Sequence, residues 1–402
     1  MYDHPRQMEP LIPSDNKGEL ANLSVELIRA SAALGASLRP ETRASVIELL
    51  RQMNSYYSNL IEGHATHPIA IEKALKDDYA KEPAKRALQI ESRAHVEVQR
   101  LIEERLRVEP DINICSQEFI RWIHQEFYER MPNEFLSVHD NVSKADYRFE
   151  PGALRMREVE VGRHLAPTYD SLPEFLERFA DFYDPRKKNG IDKIIAAAAS
   201  HHRLAWIHPF VDGNGRVARL FTHAYLIKAQ VDGHKLWMVS RGFARRRDEY
   251  RSHLAGADSP RINDLDGRGN LSDLRLREFC EFFLRTAIDQ VQFMTALLDP
   301  SGLENRVARY IEKRASLKEL DPASVFLLRE ALLRGEVPRG ESYRILGKPE
   351  RTARRIIGEL LAENLLTSET PKSNLRMGFP TKAVGYYFPR LYPEGVEQQL
   401  GP

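Results

Sequence analysis

Apolar residues recur at helical spacing along most of the chain. Leu23, Leu27, Ile28 and Leu34 share one face of a first helix. Pro40 suits the first turn of a longer one, "PETRASVIELLRQMNSYYSNLIEG", with Val46, Leu49, Leu50, Met53, Tyr57, Leu60 and Ile61 as its stripe and Gly63 as its stop. Further helices are predicted at about 69–79, 83–108 and 116–130. Between Pro132 and Pro167 the helical period fails. In "PGALRMREVEVGRHLAP", Leu154, Met156, Val159 and Val161 alternate with charged residues after a Pro-Gly pair, which reads as a short β-hairpin. Helices resume at about 173–183, 191–205, 214–229, 246–255 and 272–298, with a turn-rich link over 260–272.

Near Pro300 the register changes. "SVFLLREALLRG", "ESYRILGKPERTARRIIGELLAENLL" and "TSETPKSNLRMGFPTKAVGYYFP" read as helix, helix-turn-helix and hairpin, a winged helix pattern whose second paired helix begins near Pro349–Glu350. A length of 402 residues favours two or three domains, because single cores seldom grow past roughly 250–300 residues. The expected organisation is a loose arm over 1–22, an N-terminal helical region over 23–110, a helical core over 111–299 and the winged helix domain over 300–402. The fold class is mainly α, a helical bundle with a β-hairpin and a C-terminal winged helix-turn-helix.

Composition narrows the function classes. The chain is 42% hydrophobic and 29% charged, as soluble globular proteins are. Its net charge of +1 offers no global attraction to nucleic acid or membrane, so any basic patch is local. Cys115 and Cys280 lie far apart without metal-ligand spacing, which points to a reducing, cytoplasmic compartment. The first twenty residues lack an apolar signal core, and no run of about eighteen apolar residues predicts a membrane span.

The stretch "IHPFVDGNGRVARL", Ile207–Leu220, concentrates the chemistry. Pro209 cannot continue a helix, and it should hold His208 extended. Gly213, Asn214 and Gly215 tolerate left-handed backbone angles and can turn successive N–H groups toward one anion, at the positive end of the helix that follows. Arg216 and Arg219, one turn apart, add two guanidinium groups suited to phosphate oxygens. Asp212 is a carboxylate beside that cradle, the usual way Mg2+ is held against phosphates. His208 can take a proton from an incoming hydroxyl. Together these residues describe transfer of a phosphorus-containing group to a hydroxyl.

"HPFVDGNGRVAR" resembles the Fic-family signature, H-P-F-x-[DE]-G-N-G-R-x-x-R, at every defining position, and the similarity in pattern covers roughly Leu23 to Leu298. The resemblance implies a Fic-type helical bundle and AMP transfer from ATP to a Tyr, Ser or Thr hydroxyl of a target protein, with pyrophosphate leaving. It implies His208 as general base, Asp212 as the Mg2+ ligand, Gly213, Asn214 and Gly215 as the phosphate cradle, Arg216 as a charge-stabilising group and Arg219 as the γ-phosphate ligand. Val217 and Ala218 complete the ATP-binding run. The hairpin at about Arg155–Pro167 would be the flap that pins the target by strand addition, with Val161, Gly162, Arg163 and His164 lining the nucleotide. "RRRDEYRSHLAGAD" resembles the helix beside the adenine and nominates Tyr250 and Asp258. Here the chain departs from the family pattern: Arg251 stands where a second tyrosine is frequent, and Asp258 where asparagine is. Upstream, "RLAW" replaces a common Phe-Glu pair, and Ala218 replaces a frequent glycine or serine.

"SNLIEG", Ser58–Gly63, fits the family's inhibitory motif [ST]-x-x-x-E-[GN] on the N-terminal side of the catalytic signature. Ser58 and Glu62 are four apart and share a helix face. A carboxylate at a helix C-terminus is disfavoured unless a cation meets it, and by resemblance that cation is Arg219. The same fold also accommodates AMP removal, or transfer of another nucleotide or of phosphocholine. In the C-terminal region, Arg351, Arg354 and Arg355 on the recognition helix and Lys372, Arg376 and Lys382 near the wing allow a nucleotide-sensing DNA-binding regulator, while target selection or homodimer formation uses the same module without DNA.

Overall fold

The computed structural model describes residues 2–139, 146–162 and 164–392. Its α-helices in chain order are α1 (Glu19–Gly35), α2 (Pro40–Glu62), α3 (Pro68–Ala74), α4 (Pro83–Val108), α5 (Gln117–Tyr128), α6 (Leu172–Tyr183), α7 (Gly190–Ile207), α8 (Asn214–Lys228), α9 (Val239–Arg245), α10 (Arg247–Ala257), α11 (Asp273–Leu297), α12 (Pro300–Ser316), α13 (Ser324–Arg334), α14 (Ser342–Leu346), α15 (Glu350–Ala362) and α16 (Thr381–Tyr387). The short strands are β1 (Ser137–His139), β2 (Asp146–Arg148), β3 (Glu160–Val161), β4 (His164–Leu165), β5 (Glu336–Val337), β6 (Leu366–Thr367) and β7 (Leu375–Met377). Two compact units result. The first takes residues up to Ser31, Asn54–His234 and Met238–Gln290; the second takes Ala32–Met53, Lys235–Trp237 and Val291 onward.

In the first unit α7 is the central helix, and α6 and α8 pack on it. Ala196, Ala197, Ala198 and Ala199 are fully buried, and side chains this small let neighbouring backbones approach closely. Phe179 of α6 meets Phe221 of α8 with ring centroids 5.6 Å apart. Helices α4 and α5 close on α8 from its other side. The β3–β4 hairpin pairs Glu160 with Leu165 and Val161 with His164, a shorter ladder than the pattern over Arg155–Pro167 suggests. Residues before it are not strand. Met156 is exposed while Arg155 is only 2% exposed, because the guanidinium finds backbone carbonyls to bind. A second antiparallel pair, β1 with β2, has no counterpart in the periodicity.

Residues 2–22, expected as a loose arm, are tied to the bundle. Pro5–Met8 forms a 3-10 turn, and α1 begins at Glu19. Met8 is fully buried and Leu11 nearly so. Arg203 donates to the carbonyl of Pro10 (2.8 Å), the Leu271 amide donates to that of Glu9 (2.8 Å), and the Tyr183 hydroxyl donates to that of Leu11. A polar, proline-bearing sequence satisfies its backbone here through side chains of the bundle, which no local pattern announces.

The last segment of the second unit starts at Val291, close to the boundary expected near Pro300, but the unit also includes the first half of α2. There Thr42 donates its hydroxyl to the carbonyl of Leu332 (3.3 Å). The 23–110 region is therefore not a separate body. α13, β5, α14, α15, β6 and β7 follow one another, and the strands form an antiparallel sheet in the order β5-β7-β6. Leu327, Leu328, Ile356, Leu360, Val337, Leu375 and Met377 fill the core between helices and sheet. The segment after β7 is helical rather than a continued hairpin: Ala383, Val384 and Tyr387 bury one face of α16, which Arg306 of α12 holds through the Tyr387 carbonyl (2.7 Å).

Burial of Met8 predicts that Met8→Ala lowers stability by about 2 kcal/mol or more, read as a fall in the urea midpoint at unchanged slope. An unchanged midpoint would mean that the arm does not belong to the core.

Candidate active site

The site forms where α7 ends and α8 begins. His208 caps α7 in the left-handed region (φ 50°, ψ 60°), with its amide donating to the Leu204 carbonyl at 3.3 Å. The extended backbone expected before Pro209 is therefore not adopted. Proline disfavours a right-handed helical residue before it, and a left-handed cap satisfies that constraint while closing the last helical turn. Arg155 keeps the turn in place, donating from Nε to the His208 carbonyl (2.8 Å) and from its backbone amide to Pro209 (3.0 Å). The Nδ1 of His208 faces the carbonyl of Ala205 at 3.4 Å. A carbonyl can only accept, so Nδ1 carries the proton and Nε2 keeps its lone pair. Burial lowers the His208 pKa to about 4, so the ring is neutral across the physiological range.

Three buried side chains brace the loop from outside the motif. His124 stacks on Phe210 (4.0 Å) and reaches the Asp212 carbonyl through Nε2 (3.3 Å). Tyr128 donates its hydroxyl to Asp212 at 2.5 Å. Glu91 of α4, 2% exposed, takes a hydrogen bond from Arg216 at 2.6 Å and also contacts His64 Nδ1 at 2.8 Å. Arg216 bonds Asp212 as well, at 2.9 Å. The side chain of Asn214 turns back to the Phe210 backbone, accepting from its amide (3.0 Å) and donating to its carbonyl (2.9 Å). Asn214 thus shapes the loop with its side chain. Val217 and Ala218 bury theirs in the bundle.

Gly213 has φ 79°, and a Cβ there would fall 2.7 Å from the Tyr128 ring. A Cβ at Gly215 would fall 2.4 Å from an oxygen of Glu62. The Glu62 carboxylate therefore lies directly over the first turn of α8. It pairs there with Arg219 at 2.5 Å, while Arg219 also donates to the Ser58 hydroxyl (2.8 Å) and carbonyl (3.1 Å). Burial raises the Glu62 pKa, but Arg219 and Arg216 outweigh it and hold the carboxyl below its ordinary value. For Asp212 burial is likewise outweighed, by Arg216 and the Tyr128 hydroxyl, so the group is ionised. Its side chain is 43% open to solvent, and among the described residues no cluster of three or more His, Cys, Asp or Glu could hold a metal alone. One open carboxylate beside an anion cradle fits an ion that completes its shell with phosphates and water.

Of the remaining candidates, Val161, Gly162, His164 and Asp258 line one cavity of about 750 Å³, with Tyr2 and residues at the end of α10. Arg163 lies outside the described residues. Tyr250 is 4% exposed, stacks on Phe243 (4.3 Å) and points its hydroxyl at His201 (2.7 Å), so it belongs to the aromatic core. Asp258 pairs with buried His202 at 3.0 Å. Arg251, where the family pattern favours a second tyrosine, donates to the carbonyl of Ile61 at 2.9 Å and so caps the C-terminus of α2.

Residues 114–226 match the model of the Fic/DOC family. Among curated proteins, Protein adenylyltransferase Fic of Nematostella vectensis is 30% identical over 178 residues, 43% of this chain and 37% of that protein. The protein of the same name from Drosophila mojavensis is 34% identical over 96 residues, 24% of this chain and 19% of the relative. The chain thus spans 37% of the first relative's length and 19% of the second's. A Fic family protein from Desulfovibrio desulfuricans G20 has a similar fold, with a TM-score of 0.52 at 18% identity over 91% of this chain and 98% of that one. Fic-1 (residues 134–508) from C. elegans gives 0.50 at 18% identity, over 70% and 74%.

The ion pair of Glu62 predicts a pH-dependent stability difference. Its folded pKa lies below the ordinary 4.5, so its contribution is present above that value and disappears as pH falls through the folded pKa. Glu62→Gln should therefore be less stable than wild type at pH 7 and converge with it in acid; parallel urea midpoints across the range would contradict the pairing.

Proposed function

We propose that this chain is a protein adenylyltransferase that restrains itself through Glu62. The observation that carries the reading is the placement of the Glu62 carboxylate on Arg219, over Gly215 at the start of α8, beside a neutral His208. An anion-binding cradle, a general base and an internal anion meet in one place.

In the proposed reaction a target hydroxyl gives its proton to His208 Nε2 while its oxygen attacks the α-phosphorus of ATP. The new P–O bond forms as the bond to pyrophosphate breaks, and pyrophosphate leaves. Asp212 would hold Mg2+, which neutralises phosphate charge when bound. The first-turn amides of α8 and Arg216 face the phosphates, and Arg219 is the natural ligand of the outermost one. With Glu62 on Arg219 that ligand is taken, and the triphosphate meets a carboxylate where it needs a cation. The β3–β4 hairpin offers a target strand its exposed Val161 and Leu165.

Cys115 and Cys280 are free and buried, consistent with a reducing cytoplasmic setting, and among the described residues no helix is long and apolar enough to cross a membrane. In the second unit four of the six basic residues singled out above sit in ion pairs, Arg354 with Glu350, Arg355 with Glu359, Arg376 with Glu369 and Lys382 with Glu363, which lowers the net positive charge this face offers a DNA backbone and favours protein docking, whether target or second copy.

Incubation with ATP and Mg2+ followed by intact-mass spectrometry tests the proposal. Glu62→Gly should carry AMP adducts, wild type few and Glu62→Gly/His208→Ala none; adducts that persist without His208 would overturn its role. Arg251→Ala, which uncaps α2 next to the brake, should raise adduct formation about three- to tenfold over wild type, the equivalent of one lost hydrogen bond of ordinary net strength. Wild-type levels in that variant would show that the cap does not hold Glu62 in place.

A further inference from the structure

We infer that Tyr2 belongs to the nucleotide site, its ring walling the cavity between the β3–β4 hairpin and the end of α10 and stacking on the purine of a nucleoside triphosphate. This rests on the nucleotide reading above and names a residue that the Fic signature does not reach.

The cavity is lined by Tyr2, Val161, Gly162, His164, Asp258 and the turn around Gly256. Most of these side chains are aliphatic, small or polar. A base needs a flat polarisable surface, and two aromatic side chains line the cavity, His164 and Tyr2. His164 is buried, and its Nε2 bonds the Trp206 carbonyl at 2.7 Å, so that ring is committed to the wall behind. Tyr2 is only partly covered and keeps ring surface open. Tyr250, the aromatic nominated for the adenine, is stacked in the core and does not line the cavity.

Tyr2 is also held as a binding residue must be. Its carbonyl accepts from the Thr168 amide at 2.8 Å. Its ring lies 4.8 Å from that of Trp206 and 6.2 Å from that of His164, and Trp206 is backed by Phe175 at 5.8 Å. Six residues on, Met8 anchors the segment in the core. This pre-ordering leaves little entropy to lose when a ligand arrives.

Calorimetric titration of full-length protein in the Glu62→Gly background tests the inference, with ATP and inorganic tripolyphosphate as probes. Tyr2→Ala should weaken ATP roughly five- to 150-fold, the range for loss of one base–aromatic stack. Tyr2→Phe should bind ATP like the parent, and tripolyphosphate should bind all three proteins alike. Unchanged ATP affinity in Tyr2→Ala overturns the inference. Tighter binding also overturns it, by making the ring a plug. An equal loss for tripolyphosphate makes Tyr2 a structural residue and overturns it as well. Failure of the Glu62→Gly parent to bind ATP is the separate outcome that removes the nucleotide reading, and the inference with it.

Discussion

At the start of α8 the unpaired amides of the first turn, the positive end of the helix dipole and the guanidinium groups of Arg216 and Arg219 converge on one small volume. Such a concentration of positive potential needs an anion. Arg216 is already matched by Glu91 and Asp212, so the unmet demand falls on Arg219 and the amides, and Glu62 supplies the charge from the last turn of α2. Much of the surrounding sequence follows from that contact. Gly215 has no side chain because the carboxylate lies over it, Ser58 shares Arg219 from one turn earlier, and Arg251 relieves the carbonyl end of α2 where a carboxylate would otherwise be repelled. The forces that hold the Glu62 carboxylate are those that would hold any other anion at this cradle, so a stronger cradle strengthens both.

The loop that carries the chemistry is rigid because buried polar groups are satisfied in several directions. Arg155 reaches the carbonyls of His208 and Arg157 without a close carboxylate, the nearest being Glu158 at 3.9 Å. Burial lowers its pKa to about 10, which still leaves it charged at neutral pH. His124, Tyr128 and Asn214 add fixed hydrogen bonds, each of which would leave an unpaired buried group if removed. Catalysis by positioning asks for this stiffness, because a proton acceptor displaced by an ångström loses much of its effect.

The helices were legible because an amphipathic stripe at 3.6-residue spacing is a local property: α2 and α4 begin and end where their prolines, Gly63 and apolar positions say. Motif residues were legible for a different reason, since a run of glycines, arginines, a carboxylate and a histidine has few uses other than anion chemistry. The contact of Glu62 and Ser58 with Arg219 needed both, a helical face to unite Ser58 with Glu62 and a distant arginine to receive them.

Chain sequence by itself determined the helical class and the residue set of the cradle, because these depend on residues within a few turns of one another. Tertiary structure alone decided that a polar arm is core, that Arg155 rather than Met156 faces inward, that His208 takes a left-handed cap and that Tyr250 stacks in the bundle while Tyr2 reaches the cavity. Most of those outcomes turn on a partner 40 or more residues away, such as Pro209 for Arg155, His201 for Tyr250 and Arg203 for Pro10. No periodicity records such a partner, because burial of a polar group is decided by whether its hydrogen bonds can be met in the folded chain.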